Sequence, residues 1–174
     1  MQQAGLPDGV LNVVHGDKEI VDAILEHPSI KTFSFVGSTP VAQYVHSKAS
    51  DNGKRVQALG GAKNHAIVLA DADIEQTANA IIGAAYGSAG ERCMAISVVV
   101  AIESVADSLR DKLLEKAKVL KIGPGQNSEN DMGPLITAEH KEKVMDYIQH
   151  GQDSGADLLL DGRDHPVTSE SKGF

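Results

Sequence analysis

The chain has 174 residues, a formal net charge of −8 and one cysteine, and 41% of its residues are apolar, which is enough to bury a core. The acidic balance excludes a nucleic-acid-binding surface, which needs a basic face. No apolar run approaches the roughly 18 residues that a membrane helix requires. A single cysteine excludes an internal disulfide, and the first five residues lack the basic and apolar regions of a signal peptide. We therefore expect a protein of the reducing cytoplasm.

Strands and helices alternate along the chain, which predicts an α/β fold with a mostly parallel sheet. Helices are expected to begin near Asp17, Pro40, Asp73, Ser104 and Thr137, at positions where capping residues precede an apolar stripe. The apolar runs at 64–70 and 96–101 predict strands buried on both faces. The full set of expected strands is 11–15, 31–36, 54–59, 64–70, 96–101 and 157–160.

The second expected strand runs directly into Gly37 and Ser38, and Pro40 opens the following helix. A glycine and a hydroxyl cap before a helix form a geometry that can hold a phosphate, because the helix N-terminus offers free N–H groups and a positive dipole. The pattern is neither GxGxxG nor a Walker loop. A plain strand-to-helix turn is therefore an equally good interpretation on local grounds.

The only cysteine, Cys93, follows Arg92 and a run of small residues, Gly87–Gly90. A thiol attacks as its thiolate, which a neighbouring guanidinium favours, and small residues allow a substrate to come close. This pattern indicates a candidate nucleophile. The alternative is a small core cysteine after a helix-capping glycine, and for a lone cysteine the alternative is favoured because free cysteine is among the most buried residue types.

Ordered motifs along the whole chain resemble the aldehyde dehydrogenase superfamily; they lie at 6–14, 35–39, 59–64, 90–93 and 132–136. Within the superfamily, 61–65 and 87–97 are similar to the CoA-acylating methylmalonate-semialdehyde dehydrogenases.

The resemblance implies two domains. Residues 1–62 would be the C-terminal part of a Rossmann-type NAD-binding domain with a parallel sheet, and residues 63–174 the first part of an α/β catalytic domain. It also implies a fragment of a longer, homo-oligomeric enzyme (dimer or tetramer), with little turnover by the fragment alone.

The resemblance gives roles to five residues. Cys93 matches the nucleophile that attacks the aldehyde and becomes a thioacyl group once hydride has passed to NAD. Gly37 and Ser38 match the positions that meet the cofactor pyrophosphate. Leu59 and Gly60 match the stretch that lines the nicotinamide. No residue matches a metal ligand, and no nucleic-acid or membrane partner is implied.

Two further positions distinguish the branches of the superfamily. Hydrolytic members carry a glutamate base where this chain has Ala58, so CoA is expected to be the acyl acceptor and co-substrate in place of water. Arg92 is expected to clamp a substrate carboxylate through its bidentate fork; the alternative is a surface arginine paired with Glu91.

The expected reaction is oxidation of methylmalonate or malonate semialdehyde to propionyl-CoA or acetyl-CoA with loss of CO₂. A hydrolytic aldehyde dehydrogenase with a substitute base and an inactive fragment or binding module are the alternatives.

Overall fold

The computed structural model describes residues 1–167 and 173–174, and it divides into two compact units, Met1–Gly61 and Ala62–Phe174. Each unit contains a pair of parallel strands packed against helices, so the predicted α/β class is confirmed. The division falls beside the expected domain boundary. The assignment of the two parts to a cofactor-binding and a catalytic domain stays a prediction.

The first unit is built on strands β1 (Thr32–Val36) and β2 (Arg55–Leu59). Helices α1 (Lys18–Glu26) and α2 (Thr39–Asp51) pack on them, and a short 3-10 helix, Gln2–Ala4, precedes α1. Alternate strand residues turn toward the helices, as expected for a half-covered sheet. Three fully buried residues form the core, with alternate strand residues packed on them: Leu25, Val45 and Ala49, against Phe33, Phe35, Val56 and Ala58.

Polar contacts fix the two helices of this unit. Asp17 caps α1 by accepting the N–H of Glu19. Between the helices, hydrogen bonds from Lys18 and Tyr44 hold the pKa of Asp22 at about 2. Asp22 therefore stays ionised as a link between α1 and α2.

The second unit is built on strands β3 (Asn64–Val68) and β4 (Ile96–Ala101). Helix α3 (Ile74–Tyr86) connects them and ends in a short 3-10 helix, Gly87–Gly90. Helices α4 (Glu103–Lys118) and α5 (Ala138–Asp153) follow. The core lies between the strand pair, α3 and α4, and it consists of Val68, Ala78, Ile81, Val105 and Leu109.

The pairing of β3 with β4 contains an irregularity at its first residue. Asn64 lies opposite Ile96, but His65 lies opposite Val98, so Ser97 is an extra residue on β4. Such bulges re-aim the backbone and are common beside active sites.

The structure corrects three expectations about strands. The runs 11–15 and 157–160 are not strands; within the described residues neither has a ladder partner, and an apolar run becomes a strand only when another strand pairs with it. Strands β3 and β4 are not buried on both faces, because α3 and α4 cover one face only. The opposite face leaves Ile67 72% and Val100 51% exposed.

Among the described residues, none of the helices has the length and apolar character needed to cross a membrane.

Candidate active site

The segment that leads to Cys93 has an unusual backbone. Ser88, Ala89 and Gly90 follow one another with φ angles of 55°, 53° and 75°, in the left-handed region. Glycine adopts this region freely, whereas each L-residue costs about 1 kcal/mol or more. Such conformations persist where surrounding contacts hold them, and they cluster at functional sites.

Two turns and one side chain fix the loop around Cys93. The N–H of Glu91 donates to the carbonyl of Ser88 at 2.9 Å, and the N–H of Ala95 donates to the carbonyl of Arg92 at 3.1 Å. The side-chain amide of Asn64 donates to the carbonyls of Cys93 and Ala95 at 2.9 and 3.0 Å. The backbone at Cys93 and on its C-terminal side is therefore anchored to the start of β3.

A second anchor comes from α5. The Nε2 atom of His140 lies 3.0 Å from a carboxylate oxygen of Glu91. His140 is placed by the helix start, where its N–H donates to the hydroxyl of Thr137. Helix α5 thereby contacts the loop two residues before the cysteine.

Cys93 is a free thiol and it is exposed. The alternative of a core cysteine is therefore wrong for this chain. An exposed thiol on an anchored loop is accessible to a small electrophile such as an aldehyde.

Arg92 folds back over the start of the same loop. A Cβ atom at Gly87 would lie 2.8 to 3.0 Å from its guanidinium atoms, so the glycine allows this close approach. Glu91 pairs with His140, and across the described ranges no ion pair joins it to Arg92, so the alternative of a surface pair between Arg92 and Glu91 is wrong. The guanidinium of an exposed arginine next to the thiol residue can bind a carboxylate bidentately.

The four predicted cofactor residues lie together in the first unit, at the carboxyl ends of β1 and β2. The N–H of Gly37 donates to the carbonyl of Leu59 at 3.1 Å, and the N–H of Gly61 donates to the hydroxyl of Thr39 at 3.0 Å. A Cβ atom at Gly60 would lie 2.8 Å from that hydroxyl. In open α/β sheets, ligands bind outside the carboxyl ends of the strands.

Ser38 is the N-cap of α2, but its side chain makes no capping hydrogen bond. The first turn of a helix leaves N–H groups without intrahelical partners, and these groups and the hydroxyl suit a phosphate. Gly37 also has a packing reason, because a Cβ atom there would come within 2.5 Å of the Phe35 ring. The position of Gly37 is therefore compatible with both interpretations, a phosphate site and a plain turn.

Ala58 lies opposite Phe35 in the strand register and packs against the core of the first unit. Its methyl group accepts no proton. In this chain, the side chain at the position where a hydrolytic relative would carry a base packs against the apolar core of the first unit.

The sequence did not single out Asn64 or His140. A polar amide at the head of the apolar run 64–68 was the available signal for Asn64, since such a side chain needs hydrogen-bond partners when it is half-buried. His140 gave no signal, because its partner Glu91 is distant in the sequence and close only in the fold.

The second unit also contains an apolar cavity of about 740 Å³. Helix α5 contributes Val144, Met145 and Ile148 to its wall. In the described part of the chain, neither Cys93 nor Arg92 lines this cavity, so the thiol chemistry is not placed there.

Comparison with known proteins identifies relatives along the entire chain. The profile of the aldehyde dehydrogenase family matches residues 1–174. A malonate-semialdehyde dehydrogenase from Pseudomonas aeruginosa is 56% identical over 173 residues, which is 99% of this chain and 35% of the relative. A malonate-semialdehyde dehydrogenase 2 from Shouchella clausii is 53% identical over 174 residues, 100% of this chain and 35% of the relative.

Solved structures give the same result. The crystal structure of a methylmalonate-semialdehyde dehydrogenase from Oceanimonas doudoroffii is 54% identical, with a TM-score of 0.91 over 99% of this chain and 36% of that one. A Sinorhizobium meliloti protein with the assigned name methylmalonate-semialdehyde dehydrogenase, complexed with NAD, is 56% identical, with a TM-score of 0.87 over 94% of this chain and 33% of that one.

The chain thus spans about a third of the length of the curated relatives that it matches. The resemblance noted from the ordered motifs is confirmed by the family match, the sequence identities and the shared fold. The chain belongs to the aldehyde dehydrogenase family.

Proposed function

We propose that the chain carries the nucleophile and part of the cofactor surface of a CoA-acylating, NAD-dependent semialdehyde dehydrogenase acting on malonate or methylmalonate semialdehyde. The observation that carries the proposal is the exposed thiol of Cys93 on an anchored loop beside Arg92. The names of relatives more than 50% identical supply the substrate class.

Cys93 begins the reaction as a thiolate. Its sulfur forms a bond to the aldehyde carbon, and the carbonyl oxygen takes the negative charge. NAD, when bound, accepts the hydride that leaves this carbon, and the carbonyl re-forms as a thioester on Cys93. The enzyme is acylated at this stage, and the aldehyde has lost two electrons.

The carboxyl ends of β1 and β2 in the first unit carry groups that suit the cofactor. The N-terminus of α2 at Ser38 provides N–H groups and a positive dipole for a pyrophosphate. At Gly60, the absence of a Cβ atom allows the backbone to lie close to Thr39, which holds this turn beside the N-terminus of α2. We assign Gly37 and Ser38 to the pyrophosphate, and Leu59 and Gly60 to the nicotinamide side.

Arg92 holds the carboxylate of the semialdehyde. Its two parallel donors match the two oxygens of a carboxylate, so an acidic aldehyde is favoured over a neutral one. In the thioester, the bond to this carboxyl group breaks, CO₂ leaves, and the electron pair is held by the thioester carbonyl until a proton is added. The acyl group then has one carbon fewer.

CoA completes the reaction. Its thiolate attacks the acyl carbon, the Cys93 sulfur leaves, and acetyl-CoA or propionyl-CoA is released. A thiol has a larger anionic fraction than water at neutral pH and needs less help from a base. Ala58 supports this acceptor, because its methyl group offers no base for water.

Two alternatives make different predictions. A hydrolytic dehydrogenase with a substitute base would turn over without CoA. An inactive fragment or binding module would have a Cys93 thiol no more reactive than free cysteine. The complete enzyme is proposed to be a cytoplasmic homo-oligomer that needs no metal, and the 174 residues alone are proposed to have little or no turnover.

The test uses a chimera in which this chain replaces the matching third of the Pseudomonas aeruginosa relative. NADH formation from malonate semialdehyde is followed with and without CoA. A single burst without CoA and steady turnover with CoA support the proposal, and a Cys93→Ser control should abolish both. Equal steady turnover in the two conditions would contradict CoA acylation, and the absence of any burst would contradict the role of Cys93.

A further inference from the structure

We propose that Asn64 is the positioning residue of the nucleophile loop: its amide holds the carbonyls of Cys93 and Ala95, which fixes the backbone on the C-terminal side of the thiol and sets the direction of the thiol. This inference rests on the proposed function, in which Cys93 is the nucleophile. Asn64 lies in the same unit as the loop, at the first residue of β3.

The geometry uses the full donor capacity of the side chain. A side-chain amide has two N–H donors, and Asn64 places both on loop carbonyls, at 2.9 Å from Cys93 and 3.0 Å from Ala95. The two carbonyls flank Met94, so the segment from Cys93 to Ala95 is held at both ends. The hydroxyl of Ser97 donates to the Asn64 carbonyl at 3.3 Å and ties the same residue to β4.

The local strand geometry agrees with this role. Asparagine is a poor strand residue, and a strand of this kind gains nothing from an amide at its first position. The register shift between Asn64 and His65 occurs where the amide turns to the loop. The other end of the loop is held by the left-handed turn at Ser88 and Ala89, so the thiol lies between two fixed points.

A fixed backbone matters because attack requires the sulfur and the aldehyde carbon to meet at a narrow range of distances and angles. Asn64 is too far along the chain to be part of the local turn. Both N–H donors of its amide are engaged by loop carbonyls, so it acts through the loop backbone and not by contact with the substrate.

The first test measures loop mobility on the 174-residue chain. Cys93 is the only cysteine, so a nitroxide label reacts there and its electron paramagnetic resonance line shape reports this loop alone. Asn64→Ala removes both donors, and Asn64→Asp keeps the size but places oxygen against the two carbonyls. We expect a faster-moving label in both variants. The matched control is Asn12→Asp, which removes an exposed side-chain bond to the Gly9 carbonyl at 3.0 Å and should leave the line shape unchanged.

The second test measures acylation in the chimera described above. Asn64→Ala and Asn64→Asp should slow the NADH burst about tenfold, the effect of losing one to two hydrogen bonds, and leave the KM for NAD unchanged. Asn64→Gln keeps both donors on a longer side chain and should recover part of the burst rate. If Asn64 only stabilised the fold, its loss would not slow the NADH burst while leaving the KM for NAD unchanged. Asn64→Gln would then also not recover part of the burst rate.

An unchanged line shape in Asn64→Ala and Asn64→Asp would overturn the proposal. So would a mobile loop with an unchanged burst, or an equal loss in the Gln and Ala variants. If the unsubstituted chimera gave no burst, the proposed function would fail, and the line shape would still decide whether Asn64 holds the loop.

Discussion

Replacing Ala58 by glutamate places a carboxylate on the covered face of β2. Ala58 is half-buried, lies opposite Phe35, and packs against the core formed by Leu25, Val45 and Ala49. The next residue back, Gln57, points to the exposed face of the same strand. A glutamate at position 58 and a glutamate at position 57 therefore place the same carboxylate on the covered and on the exposed face of one strand, and Ala58→Gln is the uncharged control.

The expected cost follows from partial desolvation. Burying a polar group without full hydrogen bonding costs about 1 to 3 kcal/mol in proteins, and because position 58 is only half-buried we expect about 1 to 2 kcal/mol. Gln57→Glu should change the stability by less than about 0.5 kcal/mol, as exposed substitutions usually do.

The cost also depends on pH. Desolvation raises the pKa of the introduced carboxyl above the value of about 4.3 that it has in the unfolded chain. Above this pH the unfolded state loses the proton first, so the free energy of unfolding falls as the pH rises through the folded-state pKa. Below about pH 3 both states are protonated, and Ala58→Glu should match Ala58→Gln.

The assay is native-state hydrogen exchange at Gly37, whose N–H donates to the Leu59 carbonyl at 3.1 Å and so reports the opening of this strand pair. Ala58→Glu should lower the opening free energy at neutral pH, and Gln57→Glu should not. Equal values for the two variants would refute the reasoning that residue 58 faces the core.

Other contacts give further predictions. Gly87→Ala should displace the Arg92 guanidinium, which lies within 3.0 Å of the added methyl group. The chimera should then have a weaker preference for acidic over neutral aldehydes and an unchanged melting temperature. An unchanged preference would contradict the proposal that Arg92 binds the substrate carboxylate. Because the pKa of Asp22 is lowered to about 2, its stabilising contribution is complete above pH 4 and is lost as the pH falls toward 2. Between pH 6 and pH 2.5, the melting temperature of Asp22→Asn should therefore fall less than that of the unsubstituted chain. An equal fall would contradict the stabilising role of the ionised Asp22. Thr39→Val removes the acceptor of the Gly61 N–H and should reduce protection of that amide from exchange by about 1 kcal/mol; unchanged protection would show that the bond contributes nothing.

Helix starts were predictable because their signals are local. Asp17, Asp73 and Thr137 each accept an N–H from the first turn of their helix, and a short polar side chain before an apolar stripe is visible in the sequence. The expectation of strands at 11–15 and 157–160 was wrong, because a strand depends on a partner that the sequence does not identify.

In the candidate site too, some features follow from local sequence patterns and others depend on the tertiary fold. The glycine and hydroxyl at Gly37 and Ser38 were visible as a pattern, and the structure places them at the end of β1 as expected. The exposure of Cys93 was not predictable from its neighbours, since a lone cysteine is more often buried. The anchors Asn64 and His140 reach the loop only through the tertiary fold, so no local pattern identifies them.

The most direct test of the account is the covalent state of Cys93. The chimera is mixed with malonate semialdehyde and NAD in the absence of CoA, digested at low pH, and the Cys93 peptide is weighed by mass spectrometry. We predict an acyl group on this peptide that disappears when CoA is added and reappears as acyl-CoA. An unmodified Cys93 peptide in a chimera that still forms NADH would contradict the account, because the aldehyde would then be oxidised without the thiol.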